Sequence, residues 1–489
     1  MSLIRNTVWS AIAAIVMSWG RFLLTILLAR KLGVSEFGIF TFSQWLVDIV
    51  FLCLAFGLTG SASRFFAEFR TRYQKLVAFE RWFLLRSLAV VAIVAVASPL
   101  AAIAFNGEAS LKIGLLQAGW SAAAAVWALL LARAQGLQRF KLVALSNGVY
   151  IAIALSGCAL LPKEGVDVSS AMLLVMVATA AAAFIMWQPL PIPPHERMKE
   201  VEGSELNHRI LKIFAINIWI STLVSALVWL RGEIIIVRLE LGVSELAIYS
   251  AALSLAGIAT QGLMLFTGAV GPYLTETWGA GKQEKAIILC RRITDILTLM
   301  AAILSIFLIL FAPELIRFTF GSAYAKAEVT LAILSLGTIG LASAAPNHLL
   351  QIRTNGVFAR NANFIGIIGL FVTAIFLVNL VGIDGVAVSR ALIQIGVGIF
   401  TFCFSRHLIS IKSVYLNNQL KVVLVTCFVI LFNSIGEYSF YLRLLEFLLI
   451  TVVLIFWLRD DEGLVLSRLL CRLYVTGALV KFCIYLRKK

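Results

Sequence analysis

The chain has 489 residues, of which 61% are hydrophobic and 13% charged, and its formal net charge is +16. Soluble globular domains carry about 25% charged residues. This composition therefore excludes a soluble globular protein and indicates one that is embedded in lipid. The positive charge does not indicate a nucleic-acid partner, because most lysines and arginines lie in short connections between apolar stretches, where they orient membrane proteins.

Apolar stretches of roughly twenty residues recur along the chain, each long enough to cross a hydrocarbon core about 30 Å thick as an α-helix. The predicted fold class is an all-α polytopic membrane protein with about 14 transmembrane helices. Six helices form each of two bundles, and two more follow. The predicted spans are residues 8–29, 37–62, 82–105, 113–133, 141–161, 169–187, 210–230, 246–271, 293–312, 327–351, 361–381, 385–405, 420–436 and 441–458.

The pentapeptide Leu-Gly-Val-Ser-Glu occurs twice, at residues 32–36 and 241–245, each time between two apolar segments. The repeat predicts two homologous halves, each beginning with a helical hairpin whose short turn is this motif. Six helices per half bring the seventh span in from the same side as the first. The halves are therefore expected to be parallel repeats related by an axis along the membrane normal.

The bias of lysine and arginine between alternate connections predicts that both termini are cytoplasmic. A hydrophilic, proline-rich connection joins the halves on that side. A basic amphipathic tail at the C-terminus is expected to lie on the cytoplasmic interface. The predicted domains are an N-terminal six-helix bundle (1–187), a cytoplasmic linker (188–209), a C-terminal six-helix bundle (210–408), two additional helices (409–459) and the tail (460–489).

Signatures of catalysis are missing from the sequence. The four histidines form no i, i+4 ligand pair, and there is no H-E-x-x-H, G-x-S-x-G or P-loop pattern. The seven cysteines lie in or beside apolar segments without C-x-x-C spacing and are expected to be free thiols. We therefore expect no enzyme, no bound metal and no cofactor other than a coupling ion, Na+ or H+.

Ionisable residues inside apolar spans are the best candidates for function, since each costs about 2.5–3.5 kcal/mol at a helix centre. Arg21 lies past the middle of the first span, and Asp48 lies midway along the second. Because these two spans form the first hairpin, Asp48 is the natural counter-charge of Arg21. The pair is either a structural ion pair, or Asp48 binds a coupling cation.

Further arginines lie near the ends of spans, and they outnumber the carboxylates in both halves. A cavity lined by guanidinium groups suits an anionic, phosphate-bearing substrate, because their fixed fork of donors matches phosphate oxygens. We expect Arg21, Arg353 and Arg390 to contact the anion. Arg64 and Arg231 complete the predicted anion-binding set, and Glu233 joins Asp48 as a candidate for an ion pair or a coupling-ion site.

The tenth span contains Pro346-Asn347-His348. Proline inside a span frees a backbone carbonyl and kinks the helix, which is tolerated where neighbours or a watery cavity satisfy the freed groups. A hinge or cavity lining is predicted there.

Several segments resemble one known family. They are Asn6 and Trp9, residues 28–38, and residues 56–58 before Arg64, with echoes at residues 231–233, 248–252, 311–314 and 320–321. In order and spacing they resemble polysaccharide-biosynthesis flippases of the multidrug/oligosaccharidyl-lipid/polysaccharide (MOP) exporter superfamily.

This resemblance implies two helical bundles around a central cationic cavity. It also implies alternating-access transport of an undecaprenyl-pyrophosphate-linked oligosaccharide, as in O-antigen, lipopolysaccharide or exopolysaccharide synthesis, across the bacterial inner membrane. The implied partners are this lipid-linked substrate, the bilayer, and a polysaccharide polymerase with its chain-length machinery. Arg21 occupies the part of the first span where such flippases have a cavity arginine.

Two alternatives share parts of this pattern. A drug or metabolite antiporter related to the multidrug (MATE) transporters would have the same membrane architecture. A membrane glycan polymerase or ligase would need a large external loop, which the predicted topology lacks. The energy source, whether sodium, protons or membrane potential, stays open, and Asp48 is the first carboxylate to test.

Overall fold

The computed structural model describes residues 2–70, 72–106, 111–162, 166–189, 206–354, 357–409, 421–430 and 440–457. In these ranges every regular element is helical, and eleven helices are long and apolar enough to cross a membrane. The all-α polytopic fold class is therefore confirmed, with an approximate helix count. The predicted tail (460–489) and most of the predicted linker lie outside the described residues.

The α-helices, in chain order, are α1 (Ser2–Leu54), α2 (Leu58–Phe69), α3 (Tyr73–Asn106), α4 (Leu111–Gly136), α5 (Phe140–Leu160), α6 (Val168–Met186), α7 (His208–Ala226), α8 (Ile234–Leu241), α9 (Val243–Gly279), α10 (Gln283–Leu310), α11 (Ala312–Thr319), α12 (Ala327–Leu336), α13 (Ala344–Arg353), α14 (Val357–Val381), α15 (Ile383–Ile409), α16 (Lys421–Ile430) and α17 (Phe440–Trp457).

The glycines of the two copies of the repeated pentapeptide have the same backbone conformation. Gly33 interrupts α1 with φ 75° and ψ 176°, and Gly242 separates α8 from α9 with φ 87° and ψ −174°. This region of φ/ψ space is essentially restricted to glycine. Both glycines therefore end one helix and start the next within a single residue, as the repeat predicts for a short turn.

The first of these turns ties several helix ends together. The Arg30 guanidinium donates to the last two carbonyls of α11, and the Lys31 ammonium donates to carbonyls at the C-terminal end of α5. The Glu36 carboxylate accepts from the first backbone N–H of α6 at 3.1 Å. Cations at helix C-termini and a carboxylate at a helix N-terminus are both favoured by the exposed backbone groups there. The charges beside the turn therefore cap three neighbouring helices.

The two turns also approach each other. A Cβ atom on Gly38, five residues after Gly33, would lie 2.0 Å from the carbonyl oxygen of Val243, the residue after Gly242. Only a glycine allows the backbones to come this close.

The second predicted span, 37–62, is too long. Helix α1 ends at Leu54, and α2 begins only at Leu58. Between them Phe56 and Gly57 have positive φ angles of 43° and 71°. A Cβ on Gly57 would lie 2.0 Å from the Ala215 carbonyl oxygen, so the bend lets α7 cross closely here. Hydropathy cannot register this bend, since the residues on both sides are apolar.

The chain divides into two compact units by its internal contacts. Unit 1 comprises residues 1–258, 316–327 and 370–386, and unit 2 comprises residues 259–315, 328–369 and 387–489. The domain boundaries expected from the sequence stay a prediction.

The two helices predicted as an appendage pack within unit 2. Side chains of α16 and α17 join a buried cluster with α10. Arg443 of α17 also lies 3.0 Å from the Glu314 carboxylate of α11.

Candidate substrate-binding cavity

Unit 1 contains a cavity of about 420 Å³ between both parts of α1 and helices α4 and α5. Its α1 wall follows one helical face through Ser10, Ala14 and Ser18 to Arg21, and α4 contributes a parallel stripe that includes Ala124 and Ala128. These spacings of three and four residues keep each set on one face. Small side chains leave the space open, and the α1 stripe extends about 16 Å along the helix axis.

Arg21 lies at one end of the α1 stripe and is half-buried. Its guanidinium carbon is 5.7 Å from the ring centroid of Tyr150, a cation–π distance, and its Nε has no hydrogen-bond partner. A guanidinium has five N–H donors and no acceptor. An anion entering the cavity would therefore meet a cation that a neutral ring holds in place.

Asp48 lines the same cavity and is exposed to it, although it lies in the middle of a helix. The charges of both Arg21 and Arg231 act on its carboxylate. Among the described residues, the ion pairs within 4.0 Å do not include Arg21 with Asp48. The structure thus brings two residues predicted from the sequence, the cationic Arg21 and the anionic Asp48, to one cavity, without closing them into a direct ion pair.

Arg231 and Glu233 lie where the helix that begins with α7 changes its winding. Residues Leu227–Arg231 form a π-helical turn, a feature that is frequent at functional sites. Glu233 is fully buried and accepts a 2.9 Å hydrogen bond from the Tyr249 hydroxyl of α9. Helical geometry continues from α7 into α8, so the seventh span extends beyond its predicted end at residue 230.

The other predicted arginines lie outside this cavity. Arg64 is half-exposed on α2, where it lies 3.6 Å from Glu68 and 4.4 Å from the ring centroid of Phe214. Arg353 is exposed at the end of α13, and Arg390 is buried on α15 in unit 2. Their roles in anion binding stay predictions.

The hinge or cavity lining predicted at Pro346 stays a prediction. The winding changes before the proline, in a buried 3₁₀ segment at residues 337–343, and Pro346 is the third residue of α13. A proline in the first turn of a helix is tolerated, because the N–H that it lacks would have no partner there. Asn347 and His348 follow it and are half-buried. A 3₁₀ run of seven residues is unusually long and is typical of a hinge or a strained segment.

Sequence reasoning missed three residues around Arg21. Tyr150 stacks on Trp127 with 4.9 Å between ring centroids, and Trp127 and Asn147 line the cavity. Asn147 and Tyr150 are three residues apart in an apolar span, so one helical face with two polar groups was the signal available.

A second missed feature is a buried ion pair away from the cavity. The guanidinium of Arg133 on α4 binds both carboxylate oxygens of Glu80 on α3, at 2.7 and 3.0 Å. Its remaining nitrogen donates to the carbonyl of Gln188, just after α6, at 2.9 Å. From the sequence, Arg133 is only one of the positive charges expected on the cytoplasmic side. In the structure it links α4 to α3 and to the segment that follows α6.

Comparison with known proteins identifies the family. The model of a family described as polysaccharide biosynthesis protein matches residues 3–278, more than half of the chain. The chain belongs to the polysaccharide biosynthesis protein family. A MatE family model matches residues 221–356. Among curated proteins no match is found.

Solved structures show the same fold at low sequence identity. An inward-facing multidrug resistance MATE transporter of the MOP superfamily aligns with TM-score 0.65 and 14% identity, covering 82% of this chain and 98% of that chain. The lipid II flippase MurJ, in an inward closed conformation, aligns with TM-score 0.58 and 13% identity, covering 92% and 98%. The family match and this fold show a multi-pass, all-helical membrane protein with the architecture of the MATE transporters and of the lipid II flippase MurJ.

Proposed function

We propose that the protein is a flippase that moves a polyprenyl-pyrophosphate-linked oligosaccharide across the bacterial inner membrane by alternating access. The observation that carries this proposal is the cavity of unit 1, where Arg21 presents a guanidinium inside a lipid-embedded bundle. The membership in a polysaccharide biosynthesis family supports a glycan as cargo.

The charge balance at Asp48 favours an anionic cargo. Two guanidinium groups, from Arg21 and Arg231, act on this single carboxylate. The positive charge of Arg21 at the cavity attracts a pyrophosphate, whose oxygens match the guanidinium fork. A cation approaching Asp48 would be repelled by the same two groups. The opposing observation is the exposed carboxylate itself together with the MatE match, which supports a drug or metabolite antiporter as the second candidate.

Arg21→Ala is expected to reduce glycan export about tenfold or more, since a hydrogen bond to a charged group is worth about 1.5–3 kcal/mol. Arg21→Lys keeps the charge but loses the fork, so it should retain part of the export. The measurement is surface glycan, with lipid-linked precursor accumulation, in cells whose own copy is deleted and whose variants are present at equal levels. Exposed Arg360→Ala on α14 removes the same charge elsewhere and should export normally. Undiminished export by Arg21→Ala would exclude Arg21 from the mechanism.

Asp48→Asn separates the two candidate functions. For a flippase, it should tighten binding of a short-chain polyprenyl pyrophosphate by about tenfold, because it removes a negative charge from the wall of the cavity that the pyrophosphate enters. For an antiporter of organic cations, the same variant should abolish cation uptake into proteoliposomes. Binding of the pyrophosphate lipid that is weakened by Asp48→Asn would contradict the proposed charge balance.

A further inference from the structure

Trp127 presents a fixed aromatic surface at the cavity wall. Its indole N–H donates to the Ser146 hydroxyl at 2.9 Å, and that hydroxyl donates to the Ala182 carbonyl of α6, also at 2.9 Å. One face of the indole stacks on Tyr150 at an interplanar angle of 26°. With its polar atom satisfied and its ring wedged, Trp127 has one orientation, which is the property of a preorganised stacking platform.

Asn147 adds a hydrogen-bond acceptor that the protein itself does not use. Its side-chain amide nitrogen donates to the Ala13 carbonyl at 3.0 Å, which fixes the orientation of the amide. Its Oδ1 has no hydrogen-bond partner, although the residue is only 6% exposed and lines the cavity. Buried polar atoms in proteins are nearly always paired, so this unpaired acceptor beside the cavity is available to a donor that enters it. Asp48 provides further acceptor oxygens at the same cavity.

The platform and the anion-binding arginine lie side by side. Tyr150 contacts both of them, since its ring centroid is 5.7 Å from the Arg21 guanidinium carbon and 4.9 Å from the Trp127 ring centroid. A ligand that binds both features must therefore carry its anionic group directly next to a group that stacks and donates hydrogen bonds.

A pyranose ring joined to a phosphate has this combination of groups. Its C–H faces pack on an aromatic ring, while its hydroxyl or acetamido N–H groups donate to acceptors at its edge. A polyprenyl chain has no donors for Asn147, and an inorganic anion has no face to stack. The cavity volume of about 420 Å³ is within the range of roughly 300–1,000 Å³ that is usual for small-ligand sites, and it suits a sugar unit rather than a long oligosaccharide.

We propose that Trp127, Asn147 and Asp48 form a monosaccharide subsite for the sugar residue attached to the pyrophosphate. The ring of this sugar stacks on Trp127, and its hydroxyl or amide N–H groups donate to Asn147 Oδ1 and to the Asp48 carboxylate. This subsite rests on the proposed function and adds to it a recognition step for the first sugar. The transporter would then distinguish a loaded carrier lipid from an empty one.

The test compares two probes on the full-length protein in nanodiscs. One probe is a short-chain polyprenyl pyrophosphate without sugar, and the other is the same lipid with one N-acetylhexosamine. Trp127→Leu and Asn147→Leu should each weaken binding of the sugar-bearing probe about tenfold and change binding of the sugar-free probe less than twofold. Trp127→Phe keeps an aromatic face and should stay close to wild type. The matched control, Trp187→Leu, changes a tryptophan that is 67% exposed and does not line the cavity, and should affect neither probe.

Three results would overturn the subsite. Equal loss of both probes in Trp127→Leu and Asn147→Leu would mean that these residues only support the fold. Unchanged binding of the sugar-bearing probe would mean that the sugar does not reach them. Sodium-dependent stabilisation that is lost in Asn147→Leu while sugar binding is kept would assign the free acceptor to a cation. If the wild type binds neither probe, the proposed function itself fails. The first three results concern the variants and leave pyrophosphate binding by the wild type in place.

Discussion

Glu80→Ala is expected to lower the free energy of unfolding by about 3–5 kcal/mol, because it leaves a buried cation without its counter-charge. The side chains of Arg133 and Glu80 are only 6% and 12% exposed. The fork of Arg133 meets both oxygens of Glu80, which is the strongest geometry for a pair of this kind. The measurement is reversible unfolding of the purified protein in mixed micelles, supported by the apparent melting temperature.

A double variant provides the control for this prediction. Replacing both partners of a buried ion pair by apolar residues of similar volume is often neutral or stabilising. Glu80→Met with Arg133→Met should therefore recover most of the loss, apart from the bond to the Gln188 carbonyl. If the double variant were as unstable as Glu80→Ala, packing rather than the uncompensated charge would be the cause.

The positions of helices follow from the sequence because a bilayer makes hydropathy decisive. Every backbone group in the hydrocarbon must be paired within its own helix, so a long apolar run has one solution. The repeated pentapeptide also predicts its own structure, since Gly33 and Gly242 share a conformation that other residues avoid. The break at Phe56 and Gly57 could not be predicted in this way, because its cause is the close approach of α7.

Only part of the candidate site can be predicted from the sequence. Arg21 and Asp48 are conspicuous because a charge in an apolar span is costly, and the structure places both at one cavity. Trp127 and Asn147 carry no such signal, since an aromatic or an amide residue is common inside helical membrane proteins. Their importance depends on which atoms are paired, namely the indole N–H, which is bound, and the Asn147 Oδ1, which is not. Pairing is a property of packing between α1, α4, α5 and α6, and composition does not encode it.

Arg133 is another residue whose role cannot be predicted from the sequence. Its position near the end of a span is typical of an exposed anchor, and the orientation rule needs only its charge. The partner that buries it is Glu80, which lies on the preceding helix and 53 positions earlier in the chain. A pair of this kind can be found only when the facing sides of two helices are known.

Gly38→Ala is expected to destabilise the protein by about 3 kcal/mol, the upper end of the usual cost of overpacking. The added methyl group would lie 2.0 Å from the Val243 carbonyl oxygen, and it would meet backbone rather than a movable side chain. The backbones after Gly33 and Gly242 would have to separate, and with them the two copies of the repeated turn.

Gly148→Ala on α5 is the matched control, because a Cβ there meets nothing within 4 Å, and this change should leave stability equal or raise it by about 0.5–1 kcal/mol. The apparent melting temperature compares both variants, and glycan export at equal protein levels shows whether contact between the turns also matters for transport. Equal melting temperatures for Gly38→Ala and the wild type would show that the stability of the protein does not depend on this close contact between the two repeated turns.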